Sequence, residues 1–417
     1  MLLRPAMVAF FVLLSAPGCK RSSPAPTAAV LLSASVDLTP APPPSRCTPP
    51  REGSVVALGE EPHEGEQDSL PFAVEVGQGV SFEEGFAVGA LIPDQRGAKA
   101  SVVILGPEGG SSRMIPLLTA HGDTPPPRLA SSGHILLVGV LESGASSRRL
   151  KLGRMEAGAV VWGPELEQAR DESLAFDLAV HGTYGVAVWD DETRAADRGT
   201  IKLFAFELGG FKKLLEPRVI SPKESDAEMP RLAPRPGGFW LTWIARRPEK
   251  TDESDREVGE APEFRWLEAL PLDERGQPTG APRRITPEKG HVLIHDLRAL
   301  PGGNALVVYR DDDTPSGSSG GVLLRVTLRP DGASEPAVIA DRHLGVGAPA
   351  VLDGWLAVAD ASAETRLARI GSDGALLDPL ESEPILGRGE PLVARGDSLL
   401  VLQPRGQGVR LFVTKCH

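Results

Sequence analysis

After residue 19 the chain has no run of about 20 consecutive apolar residues, the length that a membrane-spanning helix needs. Attachment to a membrane is therefore expected through a lipid alone. It has no basic excess either: 44 Lys and Arg stand against 56 Asp and Glu, for a net charge of −12. A phosphate backbone would be repelled, which excludes a nucleic-acid partner. No helical periodicity of useful length is present, which leaves the all-β class. The chain lacks a G-x-S-x-G elbow, an HExxH pair and the alternating Asp spacing of an EF-hand loop. With no catalytic motif, the expectation is a non-enzyme without a cofactor. Cysteine occurs only at Cys19, Cys47 and Cys416, with no metal-ligand spacing.

What the first residues do contain is Arg4 followed by a short apolar run over 5–14, the layout of a secretory signal. The run leads into Ser15-Ala16-Pro17-Gly18-Cys19, which resembles a bacterial lipobox, although Ala16 stands where Leu is usual. The resemblance implies cleavage after residue 18 and acylation of Cys19; an ordinary cleaved signal with an incidental cysteine is the alternative. Lys20 follows the cysteine where Asp would mark inner-membrane retention, so an outer-membrane anchor is expected. Residues 19–46 are rich in Pro, Ala and Ser and read as an extended tether.

From Cys47 to His417 short apolar runs alternate with turn residues every 8 to 12 positions or so. One strand type recurs after a Gly-containing turn: GFAVGAL from Gly85, GHILLVGV from Gly133, YGVAVW from Tyr184, FWLTWI from Phe239, NALVVY from Asn304, GWLAVA from Gly354 and SLLVLQ from Ser398. The spacing is about 50 residues, near the ~40–50 of a four-stranded propeller repeat. Hairpin turns between third and fourth strands, such as Glu274-Arg275-Gly276 and Pro330-Asp331-Gly332, number one fewer than these copies. The last unit is thus a strand short, while Gly53 to Leu58 is a strand without partners. Pairing the two closes a ring and removes both exposed edges. It also sets Cys47 beside Cys416, which predicts a disulfide in an exported protein.

The 47–417 domain therefore resembles a seven-bladed β-propeller of four-stranded blades, in the broad group that includes tryptophan-aspartate repeats and TolB-type periplasmic propellers. The resemblance is architectural and carries no functional residues with it. In such a ring the second-to-third-strand loops share a face with the inter-blade connections. Three of these loops are long and acidic, and each follows an aromatic residue: Trp189 before Asp190 and Asp191, Trp243 before a charged stretch, Tyr309 before Asp311, Asp312 and Asp313. Aromatic rings beside carboxylates suit glycans or cationic peptides, and oxygen-rich loops suit calcium; solvated loops with aromatics capping the blade packing are the structural alternative. The expectation is a lipid-anchored module that binds a ligand or an envelope protein. The alternatives are an extracytoplasmic hydrolase or lyase acting on glycans or peptides, and an assembly subunit without a ligand.

Overall fold

The structure is a computed structural model that describes residues 45–59, 74–94, 97–110, 112–120, 124–143, 148–168, 175–193, 198–247, 263–315, 317, 321–340, 348–359, 364–387, 389–405 and 408–417. The expected signal at 1–18, Cys19 and most of the tether lie outside the described residues.

The described chain is a seven-bladed β-propeller of antiparallel sheets. Blades 1 to 6 occupy residues 75–120, 128–168, 176–219, 226–284, 292–340 and 349–382 in turn, and blade 7 combines 390–415 with 56–58. The seven recurring apolar runs are the second strands, Gly85–Asp94, Ile135–Ser143, Tyr184–Thr193, Gly238–Arg246, Ala305–Asp312, Trp355–Ala359 and Ser398–Arg405. They are apolar on both faces because each blade is covered on both faces by its neighbours. The core is accordingly divided into seven apolar clusters, one in each interface between adjacent blades. Packing in these layers is close. A Cβ on Gly89 of blade 1 would stand 2.0 Å from the carbonyl oxygen of Pro127 at the entry to blade 2, so only glycine fits there.

The first strands of neighbouring blades pack on one another around the axis, and the first strand of blade 7 meets that of blade 1. Ring closure follows the expected route: Val56–Leu58 pairs with Gly408–Lys415, with Val56 opposite Leu411. Cys47 and Cys416 form a disulfide across 369 positions of sequence. The chain-entropy model gives such a loop about 5 to 6 kcal/mol, an upper bound because the reduced chain retains some structure. Just before it, Arg46 fastens the entering chain to blade 6. Its N–H donates to Glu383 Oε2 at 2.8 Å, and its guanidinium meets Asp378 at 3.1 Å and Glu381 at 2.6 Å.

Two blades depart from four simple strands. In blade 1 the first strand is split into Glu75–Val76 and Val80–Phe82, both paired with Gly85–Asp94. In blade 5 the outer strand is split into Gly332–Ala333 and Ala337–Ala340.

Candidate functional site

The three aromatic residues expected on the long-loop face are inside the protein. Trp189 is 1% exposed and packs between blades 2 and 3; Trp243 and Tyr309, at 0%, fill the next two interfaces. Their rings present no surface to a ligand. They sit at equivalent positions of the second strands, where a large side chain fills the gap to the preceding blade. Asp190 and Asp191 belong to the strand rather than to a loop, because Tyr184–Thr193 runs past them. Both are buried: Asp190 Oδ2 accepts the Met229 N–H at 3.3 Å, and Asp191 pairs with Lys202 at 2.5 Å. In blade 5, Asp311 Oδ1 accepts the His291 N–H at 2.7 Å and Asp312 pairs with Arg310 at 2.8 Å, while Asp313 is exposed. Burial pushes the Asp311 carboxyl upward, partly opposed by the His291 N–H. The acidic residues of 252–257 lie outside the described residues.

The chemistry gathers instead on the first strands, at the axis. An innermost strand is paired on one edge only, so its other edge would leave N–H groups unsatisfied in the channel. Four successive blades place a charged residue followed by leucine at the same position: Arg128-Leu129, Asp177-Leu178, Arg231-Leu232 and Asp296-Leu297. The equivalence is set by the ladder, since Arg128, Asp177, Arg231 and Asp296 stand opposite Gly139, Val188, Thr242 and Val308, the last three just before Trp189, Trp243 and Tyr309. The sign alternates from blade to blade.

The two aspartates have a clear structural task. Asp177 accepts the N–H of its own Leu178 at 2.9 Å and that of Leu232 in the next blade at 2.8 Å. Asp296 repeats the arrangement with Leu297 at 2.9 Å and Val351 in blade 6 at 2.7 Å. Each carboxylate thus joins two inner strands. The arginines are held differently: Arg128 Nη1 donates to Gln78 Oε1 at 2.9 Å, and Arg231 Nη1 to the Pro230 carbonyl at 3.0 Å.

These groups line or border a cavity of about 660 Å³ in the channel, within the size range of small-molecule sites. Glu75, Gln78, Arg128, Arg231, His295 and Asp296 supply its charged and polar side chains, among apolar residues such as Val76, Ile294, Leu392 and Val409. Its wall includes the end of the second strand in blade 6 and the start of the third in blade 7, Ala359 and Gly408. The cavity therefore lies toward the face from which the inter-blade connections emerge.

The electrostatics of the ring are those of a charged cluster withdrawn from bulk water. Burial lowers the Arg128 guanidinium and the nearby Arg231 charge lowers it further, while Asp177 and Asp296 oppose this. Burial raises the Asp296 carboxyl, against the pull of the Val351 N–H and Arg231. Burial, reinforced by Arg231, holds His295 well below the ordinary imidazole value and so neutral. Its Nε2 lies 3.0 Å from Thr242 Oγ1, and among the described residues Nδ1 has no hydrogen-bond partner. This ring is hidden in the sequence because its members are single charged residues inside strands, whereas the acidic runs stand beside the loops. The signal available was the repeated pair of a charged residue and leucine in four consecutive first strands.

No family model and no curated protein matches the sequence. Solved structures do share the fold. A polysaccharide lyase, an ulvan lyase, superposes with a TM-score of 0.53 at 8% identity, over 83% of this chain and 95% of that one. A prolyl endopeptidase gives 0.50 at 13% identity over 84% of this chain, which spans about half the length of that protein at 48%. An α-L-arabinofuranosidase of Fusarium graminearum gives 0.46 at 9% identity, over 89% and 98% of the two chains. At these identities the likeness is one of fold. It nonetheless overturns the expectation of a non-enzyme, which rested on missing motifs. The lyase and the endopeptidase are enzymes, and a ring that assembles its centre from separate blades needs no contiguous motif to hold a site.

Proposed function

We propose that this chain works outside the cytoplasm as a propeller that takes a glycan or peptide group into its central channel. One observation carries this reading: charged and polar side chains from several inner strands converge on a single cavity of about 660 Å³ in an otherwise apolar centre. The Cys47–Cys416 disulfide supports an oxidising compartment. In the same reading Cys19 carries the lipid, and residues 20–46 hold the propeller away from an outer membrane. Conversion of Cys19 to Ser should then release the protein from the membrane fraction.

A second reading, hydrolysis or lyase cleavage of the bound glycan or peptide, is favoured by His295. Its neutral, buried imidazole lies on the cavity wall, where a bound anionic group would offset the Arg231 charge that, with burial, disfavours its protonation, and so let it take a proton from the ligand.

Both readings share one test. Thermal denaturation of the full chain is followed with acidic and neutral oligosaccharides and with peptides, beside the variant Ala350→Trp, which fills the cavity wall. A stabilising compound whose effect vanishes in that variant supports the channel as the site; a shift that survives it places binding elsewhere. Incubation of the stabilising compound with wild type and His295→Gln then separates capture from turnover. Products formed only by the wild type support cleavage.

A further inference from the structure

We infer that the channel recognises a carboxylate, held between Arg128 and Arg231; this rests on the channel being the ligand site. Two other arginines withdrawn from solvent are matched with carboxylates, Arg246 with Asp226 at 2.6 Å and Arg310 with Asp312 at 2.8 Å. The two channel arginines are not. Among the described residues no carboxylate oxygen lies within 4.0 Å of either guanidinium, although Asp177 and Asp296 are near enough to act on Arg128 through their charge. Those carboxylates are engaged instead by backbone N–H groups, two for each.

A guanidinium offers five N–H donors in a planar fork, and each of these arginines engages only one nitrogen with a described residue. Both arginines line the cavity, so their remaining donors are within reach of a ligand held there. Two planar forks on successive even-numbered blades match a planar acceptor with two oxygens.

Charge decides among anions. The ring holds two arginines and two aspartates, a balance of zero, and Glu75 adds a negative charge on the cavity wall. A single negative charge adds less repulsion than a phosphate dianion, which would bring two into a place that, with Glu75, already carries three negative groups against two positive ones. The class of ligand is therefore a monocarboxylate: the uronic acid of a glycan, or the terminal carboxylate of a peptide.

The test titrates the full chain calorimetrically with D-glucuronate and its neutral methyl ester, and with a short peptide acid and its amide. D-glucose and inorganic phosphate are the reference probes. The free acid of one pair should bind at least tenfold more tightly than its neutral partner and more tightly than phosphate, and the pair that responds identifies the source as glycan or peptide. Arg128→Gln and Arg231→Gln should each weaken that binding by about 10- to 100-fold, the range of a lost charge-assisted hydrogen bond. Equal binding of acid and neutral partner, tighter binding of phosphate, or no binding of either acid overturns the inference. The acid-to-ester comparison needs no variant, so poor folding of Arg231→Gln would not block it. Binding that is lost in Ala350→Trp but indifferent to charge overturns the carboxylate alone and leaves the channel reading standing. Charge-selective binding that persists in Ala350→Trp removes the channel reading itself.

Discussion

The Asp177 carboxylate accepts the backbone N–H of Leu232 at 2.8 Å, joining the inner strand of blade 3 to that of blade 4. With its second bond to Leu178, it satisfies two N–H groups on strand edges that no further strand covers. Asp177→Ala should therefore destabilise the fold by about 2–4 kcal/mol, since two hydrogen bonds to a charged group are lost and two donors are stranded. Urea denaturation measures this, and a loss below about 0.5 kcal/mol would show that water takes over both donors without penalty.

Trp243 distinguishes a packing role from a ligand platform. Fully buried between blades 3 and 4, it should cost about 3–5 kcal/mol when changed to Ala, as large aromatic-to-alanine core substitutions do. A stable Trp243→Ala protein that lost only ligand affinity would contradict the packing described for it.

His295 predicts a pH dependence. Its folded-state value lies well below the ordinary 6.5, so below that pH the unfolded chain takes a proton that the folded chain refuses. Stability is then lost as pH falls through 6.5, with a slope of up to about 1.4 kcal/mol per pH unit. Asp296 acts in the opposite sense at lower pH. Burial raises its carboxyl above the ordinary 3.8, so the folded chain takes that proton first, and stability is regained as pH falls toward 3.8. Melting temperatures of wild type and His295→Gln should run parallel above pH 6.5 and separate as pH falls below it, the wild type losing stability that the variant keeps. Profiles parallel throughout would mean that the imidazole charges in the folded state.

Reduction of Cys47–Cys416 should lower the melting temperature without changing the strand content at low temperature. The expected loss is about 2–5 kcal/mol, the usual range for a native disulfide. The pair Cys47→Ser and Cys416→Ser should reproduce it, and reductant should have no further effect on that variant.

The ring was legible because its second strands are constrained on both faces. Runs such as Phe239 to Ile244 leave no polar face, and that pattern belongs to a strand buried between layers. Closure was legible because Gly53 to Leu58 lacked a partner and the last unit lacked a strand. The aromatic face was not legible, for a physical reason. A Trp followed by acidic residues reads the same whether the strand ends at Trp189 or continues to Thr193, and Asp191 is kept in the strand by Lys202 across the ladder, a long-range contact. The channel ring was legible only in alignment. Arg128 or Asp177 alone looks like a solvated strand residue, and only their shared position opposite Gly139 and Val188 places them at the axis.

The pairing of Val56–Leu58 with residues near Leu411 bears on how the ring is reached in time. Six blades are built from contiguous sequence and can condense locally, but the seventh waits for segments about 350 positions apart to meet. Contacts of such separation form late and slowly. Until they form, the blade 7 hairpin offers an open strand edge to any other chain. Closure is thus the step at which the open edge of blade 7 is covered, and a chain truncated before Gly408 would lack both that pairing strand and its covalent latch.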